Sequence, residues 1–407
     1  MPSSFQEMWA ELLPVGRHAG SGGYRRFAWT GADAECRAWF REQAAARGLT
    51  CETDRNGNQW AWLGDPAAGD AVVTGSHLDS VPDGGAFDGP LGVVSAFAAL
   101  DGLAARGARP SRPIAVVNFG DEEGARFGLA CAGSRLTAGV LTPERAAGLR
   151  DADGISLPEA MERAGHDPGA IGPDDERLAR VGVFVELHVE QGRHLADTAS
   201  PVGVASSIWP HGRWRFDFRG VADHAGTTRM EDRHDPMPAY AATVLAARAR
   251  AAAAGARATF GKLSVEPNGV NAIPSLVRAW LDARAAGQDV LDRLVGEIEG
   301  EAREHAARDG VRVELTRESF TPVVDFAPAL RDELAGLLAA RRPYEVPVLP
   351  TGAGHDAGIL AAKVPTAMLF VRNPTGVSHS PAEHAREDDC VAGVEALTDV
   401  LEELACR

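Results

Sequence analysis

Four short stretches of this chain carry side chains that bind metals or move protons. "NFGDEEGARFG", residues 118–128, sets Asp121, Glu122 and Glu123 side by side, just after the apolar run Ile114-Ala115-Val116-Val117. "GSHLDSVPDGGAFDGPLG" brings His77, Asp79 and Asp88, "VELHVEQG" brings His188, and "VRNPTGVSHSPAEH" brings His379. Neutral imidazole and carboxylate suit Zn²⁺, Mn²⁺ or Co²⁺, and mixed nitrogen and oxygen sets of this kind commonly hold two ions. Crowded carboxylates repel one another and lose hydration beside an apolar core. Two divalent cations would bring four positive charges, enough to offset Asp88, Glu122 and Glu123. Neighbouring residues at a strand end point in different directions, so one glutamate can ligate while the next acts as general base.

Taken singly, each piece has a plainer reading. His77 or His188 alone reads as a hydrogen-bonded histidine, and Asp88 in "FDGP" as a turn residue. "DEEG" alone reads as a solvated helix entry, favourable to the helix dipole, and Asp79 as a turn cap. What favours a site is the conjunction of such residues at several independent strand ends.

Residues of this kind need rigid strands behind them. Strand-like runs are Ala71-Val72-Val73-Thr74, Ile114 to Phe119 and Val181 to Leu187, and helical patterns occupy roughly 31–47 and 91–106. Continuous Val-rich runs separated by helices predict an α/β fold with a mainly parallel sheet flanked by helices. In open parallel sheets, ligands bind beyond the carboxyl ends of the strands, where all four stretches fall. Near residue 206 the texture changes. "RWRFDFRGVADHAGTT" alternates like a strand with one exposed face, and "PMPAYAATVLAARARAAAA" is rich in the best helix former. "ATFGKLSVEP", "SLVRAWLDARA", a charged helix over about 288–309 and "VRVELTRES" complete a strand–helix–strand–strand–helix–strand series. Residues 207–320 are therefore expected to form a smaller α+β domain, inserted into a first domain made of 1–206 and 321–407. In that last segment a helix near 327–341, the strand "VPTAMLFV" and a helix near 388–405 restore the α/β texture.

Totals narrow the function. The 407 residues allow two domains and a substantial core. No apolar stretch reaches membrane-spanning length, and the opening "MPSSFQEMWAELLPVGR", mixed and amphipathic, lacks the basic and apolar regions of a signal peptide. A formal charge of −16 argues against nucleic acid or an anionic membrane as partner. It leaves room for a local cationic pocket that takes a small anion. Five scattered cysteines without a CxxC pair argue against a disulfide framework and a thiolate metal site; a cytoplasmic location is expected.

Over nearly its whole length the sequence resembles the N-carbamoyl-L-amino-acid hydrolase, β-ureidopropionase and allantoate amidohydrolase family, within the wider superfamily of dinuclear metallopeptidases and aminoacylases. The resemblance rests on the stretches above together with "ADHAGTT", "PNGVNAIP" and "TGAGHDA". It implies a dizinc-peptidase-like catalytic domain with an inserted lid or dimerisation domain, and two divalent metal ions, zinc or manganese, with cobalt or nickel as alternates. Asp88 would bridge them, with His77 and His188 completing one site and Glu123 and His379 the other. Glu122 would be the general base, and Asp79 the partner that fixes the tautomer and orientation of His77. Where His188 stands, the peptidase and aminoacylase branches usually carry a carboxylate, whereas the ureido-cleaving branch has histidine inside E-x-H-x-E-Q-G. A non-peptide C–N bond is therefore expected.

For substrate recognition the resemblance implies Arg284, in "LDARA", as a carboxylate-binding guanidinium, with Asn271 and Gln191 hydrogen-bonding the substrate's polar groups. It implies His224, in "DHAG", as the group that polarises the scissile carbonyl, reaching the neighbouring subunit's site across a homodimer, and Gly354 as a backbone contact. Read alone, Arg284 is a surface ion-pair partner of Asp282, and His224 an ordinary loop histidine. The chain departs from the family at Arg229, at "HDP" (234–236), at Arg372-Asn373 and in "AAGQDV" after Arg284. Arg229 and Arg372 are either surface residues or added positive charge for a more anionic substrate. The expected activity is hydrolysis of a ureido or N-carbamoyl group on a small carboxylate, allantoate first and an N-carbamoyl-L-amino acid beside it. Deacylation of an N-formyl or N-acyl amino acid, a dipeptidase of the same superfamily, and a non-catalytic carboxylate-binding protein are the alternatives.

Overall fold

The computed structural model describes residues 4–406; residues 1–3 of the amphipathic opening stretch, and residue 407 at the end of the first domain's span, lie outside the described residues. A helix, Phe5–Leu12, starts from a capping box in which Ser4 and Glu7 exchange hydrogen bonds. The chain separates into two compact units, one running to Ser206 and resuming at Asp325, the other Ser207–Val324. The insert's last strand, Arg312–Thr321, ends shortly before the chain returns to the first unit at Asp325.

The first unit is built on one sheet. Its centre is four strands, β1 (Ala71–His77), β2 (Ile114–Phe119), β3 (Val181–Val189) and β4 (Thr366–Val371), in the spatial order β2-β1-β3-β4 and all parallel. Every residue of β1, β2 and β4 is buried, which is why these strands read as continuous apolar runs without alternation. Antiparallel strands flank them. Gln59–Leu63 and Thr50–Thr53 lie outside β2, and Val202–Ile208 lies outside β4. These flanks are not legible in the sequence, because four to seven residues leave too little periodicity to detect. The helix Pro90–Ala105 is apolar nearly all round and is enclosed between the sheet and the helix Glu387–Ala405. Phe40, Phe97, Val116, Leu187, Leu369 and Leu401 belong to this core. No helix among the described residues is long and apolar enough to cross a membrane.

In the second unit, four antiparallel strands take the order Arg312–Thr321, His211–Arg219, Leu276–Arg284, Arg257–Glu266. The helices Pro236–Ala253 and Gln288–Arg308 pack on each other and on this sheet. Trp214, Phe216, Phe218, Val277, Leu291 and Ile298 form a core of its own. "HDP" has a local purpose: Asp235 accepts the N–H of Met237 at 2.9 Å and Pro236 opens the helix.

Candidate active site

The four parallel strands deliver their side chains to one edge. His77 is the last residue of β1, and the "DEE" tract follows β2 directly. His188 lies inside β3 rather than beyond its end, because the strand continues two residues past Leu187 and pairs His188 with Phe370 of β4. Asp88 lies between β1 and the helix Pro90–Ala105 and is the meeting point. Its Oδ1 stands 3.2 Å from His188 Nε2 and 3.7 Å from His77 Nε2, while its Oδ2 stands 3.4 Å from His379 Nε2. His379 Nε2 is also 3.6 Å from Glu123 Oε2. Two groups of candidate ligand atoms result, His77–Asp88–His188 and Asp88–Glu123–His379, each within 4.8 Å and sharing Asp88. His77, Asp88 and His188 are buried, Glu123 is half-buried, and the His379 side chain, 52% exposed, marks the open side.

The three neighbouring acids separate in space. Asp121 takes the left-handed conformation (φ 54°), and both its carboxylate oxygens are buried without a hydrogen-bond partner. Burial, then Asp79 and Asp33, push its carboxyl well above the usual range. Glu122 directs Oε2 toward His77 Nε2 at 3.7 Å, and Glu123 turns toward His379. Asp79 holds this arrangement. Its two oxygens accept the backbone N–H groups of Glu122 and Glu123, at 3.1 and 3.0 Å, and Oδ1 lies 3.4 Å from His77 Nδ1.

Electrostatics record the crowding. Burial and then Asp88 raise Glu123 to about 7. Burial raises Glu122 well above the carboxylate range, with His77 opposing and Asp356 reinforcing. Burial alone would raise Asp88 too, but its contacts with His188, His379 and His77 outweigh it and hold Asp88 well below its usual value. For His77, burial is outweighed by Glu122, Asp79 and Asp88, which raise it well above an ordinary histidine. Two unit charges about 4 Å apart repel by roughly 4 kcal/mol at an effective dielectric of about 20. Such a cluster of acids cannot be ionised together without cations of its own.

The surroundings fix the ligands and contain residues the sequence reading leaves out. A methyl group on Gly89, at φ 83°, would overlap the His77 ring, so only glycine fits there. Glu383 accepts the N–H groups of Phe87 and Asp88, both at 2.9 Å, and the Ser378 hydroxyl at 3.1 Å, which sets the loop bearing Asp88. His188 Nδ1 is 2.9 Å from the Val189 carbonyl, which directs Nε2 at Asp88. The buried ring of His355 packs edge-on against His188 with centroids 4.5 Å apart. Glu186 accepts from Ser76 Oγ at 2.7 Å and from Ala357 N at 3.0 Å. Asp356, raised to about 8 by burial and then Glu186, accepts from Ser134 Oγ at 2.5 Å. A signal for Glu186 was available: it stands two residues before His188 on a strand, and so on the same face.

The remaining expected residues divide between the units. In the first, Gln191 Nε2 donates to Asp88 Oδ2 at 2.8 Å and to Ser378 Oγ at 3.1 Å, and Gly354 precedes the buried His355. In the second, His224 pairs with Ala272 in a two-strand ribbon, and Ala225 N donates to the Asn271 carbonyl, so His224 and Asn271 are neighbours. His224 Nδ1 accepts from the N–H groups of Gly226 and Thr227 at 3.0 and 3.2 Å, leaving Nε2 to carry the ring proton. Arg284 stands on a different strand and grips Asp282 through two contacts of 2.8 and 3.2 Å, the surface-pair geometry. The two irregular arginines are engaged elsewhere. Arg229 pairs with Glu231 and Asp232, and Arg372 forms a fork on the buried carboxylate of Asp389 at 2.7 and 3.0 Å.

Comparison with known proteins agrees with this architecture. The profile described as Peptidase family M20/M25/M40 matches residues 73–403. An N-carbamoyl-L-amino acid amidohydrolase of Geobacillus stearothermophilus is 38% identical, covering 98% of this chain and 98% of its own. An allantoate amidohydrolase of Escherichia coli is 32% identical over 100% of this chain and 99% of its own. A crystal structure of an amidase of the hydantoinase/carbamoylase family from Burkholderia vietnamiensis superposes with a TM-score of 0.87 at 30% identity, covering 99% of this chain and 98% of that one.

Proposed function

The chain belongs to peptidase family M20/M25/M40, and on that premise we propose that it hydrolyses a ureido or N-carbamoyl C–N bond of a small carboxylate, with two divalent metal ions bound. The observation that carries the reading is Asp88, whose two oxygens face different histidines, His77 and His188 on one side and His379 on the other. That is the disposition a carboxylate shared by two ions needs. His188 Nε2 and Glu123 Oε1 are buried without a hydrogen-bond partner, which supports cations as their intended partners. His77, Asp88 and His188 would hold one ion, and Asp88, Glu123 and His379 the other. Zinc or manganese suits this imidazole and carboxylate set, with cobalt or nickel as alternates. When bound, the ions supply Lewis acidity toward water and the substrate carbonyl.

The protein's own groups do the rest. Glu122 takes the proton of the attacking water and delivers it to the leaving nitrogen. His224, with its proton on Nε2, donates to the carbonyl oxygen as negative charge develops there. Arg284 takes the substrate carboxylate, which must displace or share Asp282. Gln191, Asn271 and the backbone at Gly354 accept and donate to the ureido group. The insert acts as lid and as the surface of a homodimer, and five free thiols support a cytoplasmic location. Relatives named for N-carbamoyl-L-amino acids, at 38% and 31% identity, and for allantoate, at 32%, support these two substrates side by side.

The test is ammonia release by metal-replete protein from N-carbamoyl-L-amino acids, N-carbamoyl-β-alanine, allantoate, N-formyl-glutamate and a dipeptide. Ammonia from a ureido substrate is expected. Cleavage of the formyl compound or the dipeptide alone, with no ammonia from any ureido substrate, would overturn the reading.

A further inference from the structure

We propose that Cys131 is a positioning residue for Glu122: its S–H holds Oε1 so that Oε2 alone is presented to the reacting water. The inference rests on Glu122 being the general base. Cys131 Sγ lies 3.1 Å from Glu122 Oε1, and among the described residues no other hydrogen bond reaches that carboxylate. The terminal torsion of a glutamate is broad, so a donor on one oxygen fixes the plane of the carboxylate and with it the direction of the other oxygen. The thiol itself is fixed. Cys131 opens the helix Ala132–Thr137 in the left-handed conformation (φ 57°), and its N–H donates to the Glu122 carbonyl at 2.5 Å. Ala132 N and Gly133 N donate to the carbonyls of Asp121 and Gly120 at 3.0 and 2.9 Å. Three successive amides thus lock the thiol to the segment that carries the base.

The environment keeps the sulfur a donor. Cys131 is 3% exposed. Burial, then Glu122 and Asp356, push its thiol well above the ordinary value, so the proton stays on sulfur. Asp356 shares the cluster, its ligand oxygen within 4.8 Å of Cys131 Sγ and Glu122, but Ser134 Oγ occupies its Oδ1. Among the described residues the hydrogen bond to the carboxylate of the base comes from Cys131.

Two variants and one spectroscopic readout test this. Ala and Ser both suit a left-handed position better than a β-branched residue would. Cys131→Ala should lower kcat about ten-fold, as expected for losing one hydrogen bond to a charged group, with KM and bound metal unchanged. Cys131→Ser, which restores a donor, should recover most of the loss. In the infrared, the S–H stretch lost in Cys131→Ala should lie below those of the other thiols and move back up in Glu122→Gln. An unchanged kcat in Cys131→Ala, a serine variant as impaired as the alanine one, or an unshifted S–H band would each overturn the proposal. The infrared band reports the contact whatever the protein hydrolyses. Inactivity of the wild type on every ureido compound would instead count against the activity assigned above.

Discussion

One carboxylate, Asp79, couples His77 to both glutamates, because its oxygens accept two backbone amides and lie beside an imidazole nitrogen. Asp79→Ala should therefore disturb ligand and base together. We expect metal affinity to fall about 10- to 100-fold, the usual cost of losing a group that orients a ligand, measured by competition with a chromogenic chelator. Glu122→Gln separates the two functions. It should bind metal and melt like the wild type while kcat falls roughly 10²- to 10⁴-fold; retained turnover would remove Glu122 from its role. At this scale the sequence made the innermost residues legible only together, because histidines and acids recur at several independent strand ends where each alone has a plainer reading. His355, Asp356 and Glu383 were not legible. Their meaning depends on contacts with residues dozens to hundreds of positions away, such as Glu383 with Asp88.

Strands and turns turn those residue types into geometry. The parallel strands could be read because burial on both faces leaves unbroken valine and isoleucine runs, as in β1 and β2. The flanking strands and the true end of β3 could not, since pairing between distant segments, such as His188 opposite Phe370, sets them. Gly89 shows how tightly an element constrains the centre. It has a positive φ, and any Cβ there meets the His77 ring. Gly89→Ala should cost about 2 kcal/mol or more in urea unfolding and should weaken metal binding. Wild-type stability together with wild-type metal affinity would contradict the packing described for His77.

Over the whole molecule, protons and metals compete for the same acids. In metal-free protein, Glu123 is raised from 4.5 to about 7 and His379 from 6.5 to about 9. Each is a folded-state value above the unfolded one. The associated stability is therefore complete at low pH and is lost as pH rises through the folded values. Asp88 has the opposite sign, but its contribution is lost only in acid, below its ordinary value of 3.8. Chelated protein should show a Tm that falls between about pH 5 and about pH 9, and restoring a divalent ion should flatten the fall. A Tm indifferent to pH after chelation would mean that these groups are not linked to folding.

Metal stoichiometry by elemental analysis, in wild type and in single-ligand variants, bears most directly on whether Asp88 joins two cation sites. The prediction is two divalent ions per chain in the wild type, one in His188→Ala, one in His379→Ala, and neither held tightly in Asp88→Ala. A single ion in the wild type, or an Asp88→Ala protein that keeps two, would contradict the shared carboxylate and the activity built on it.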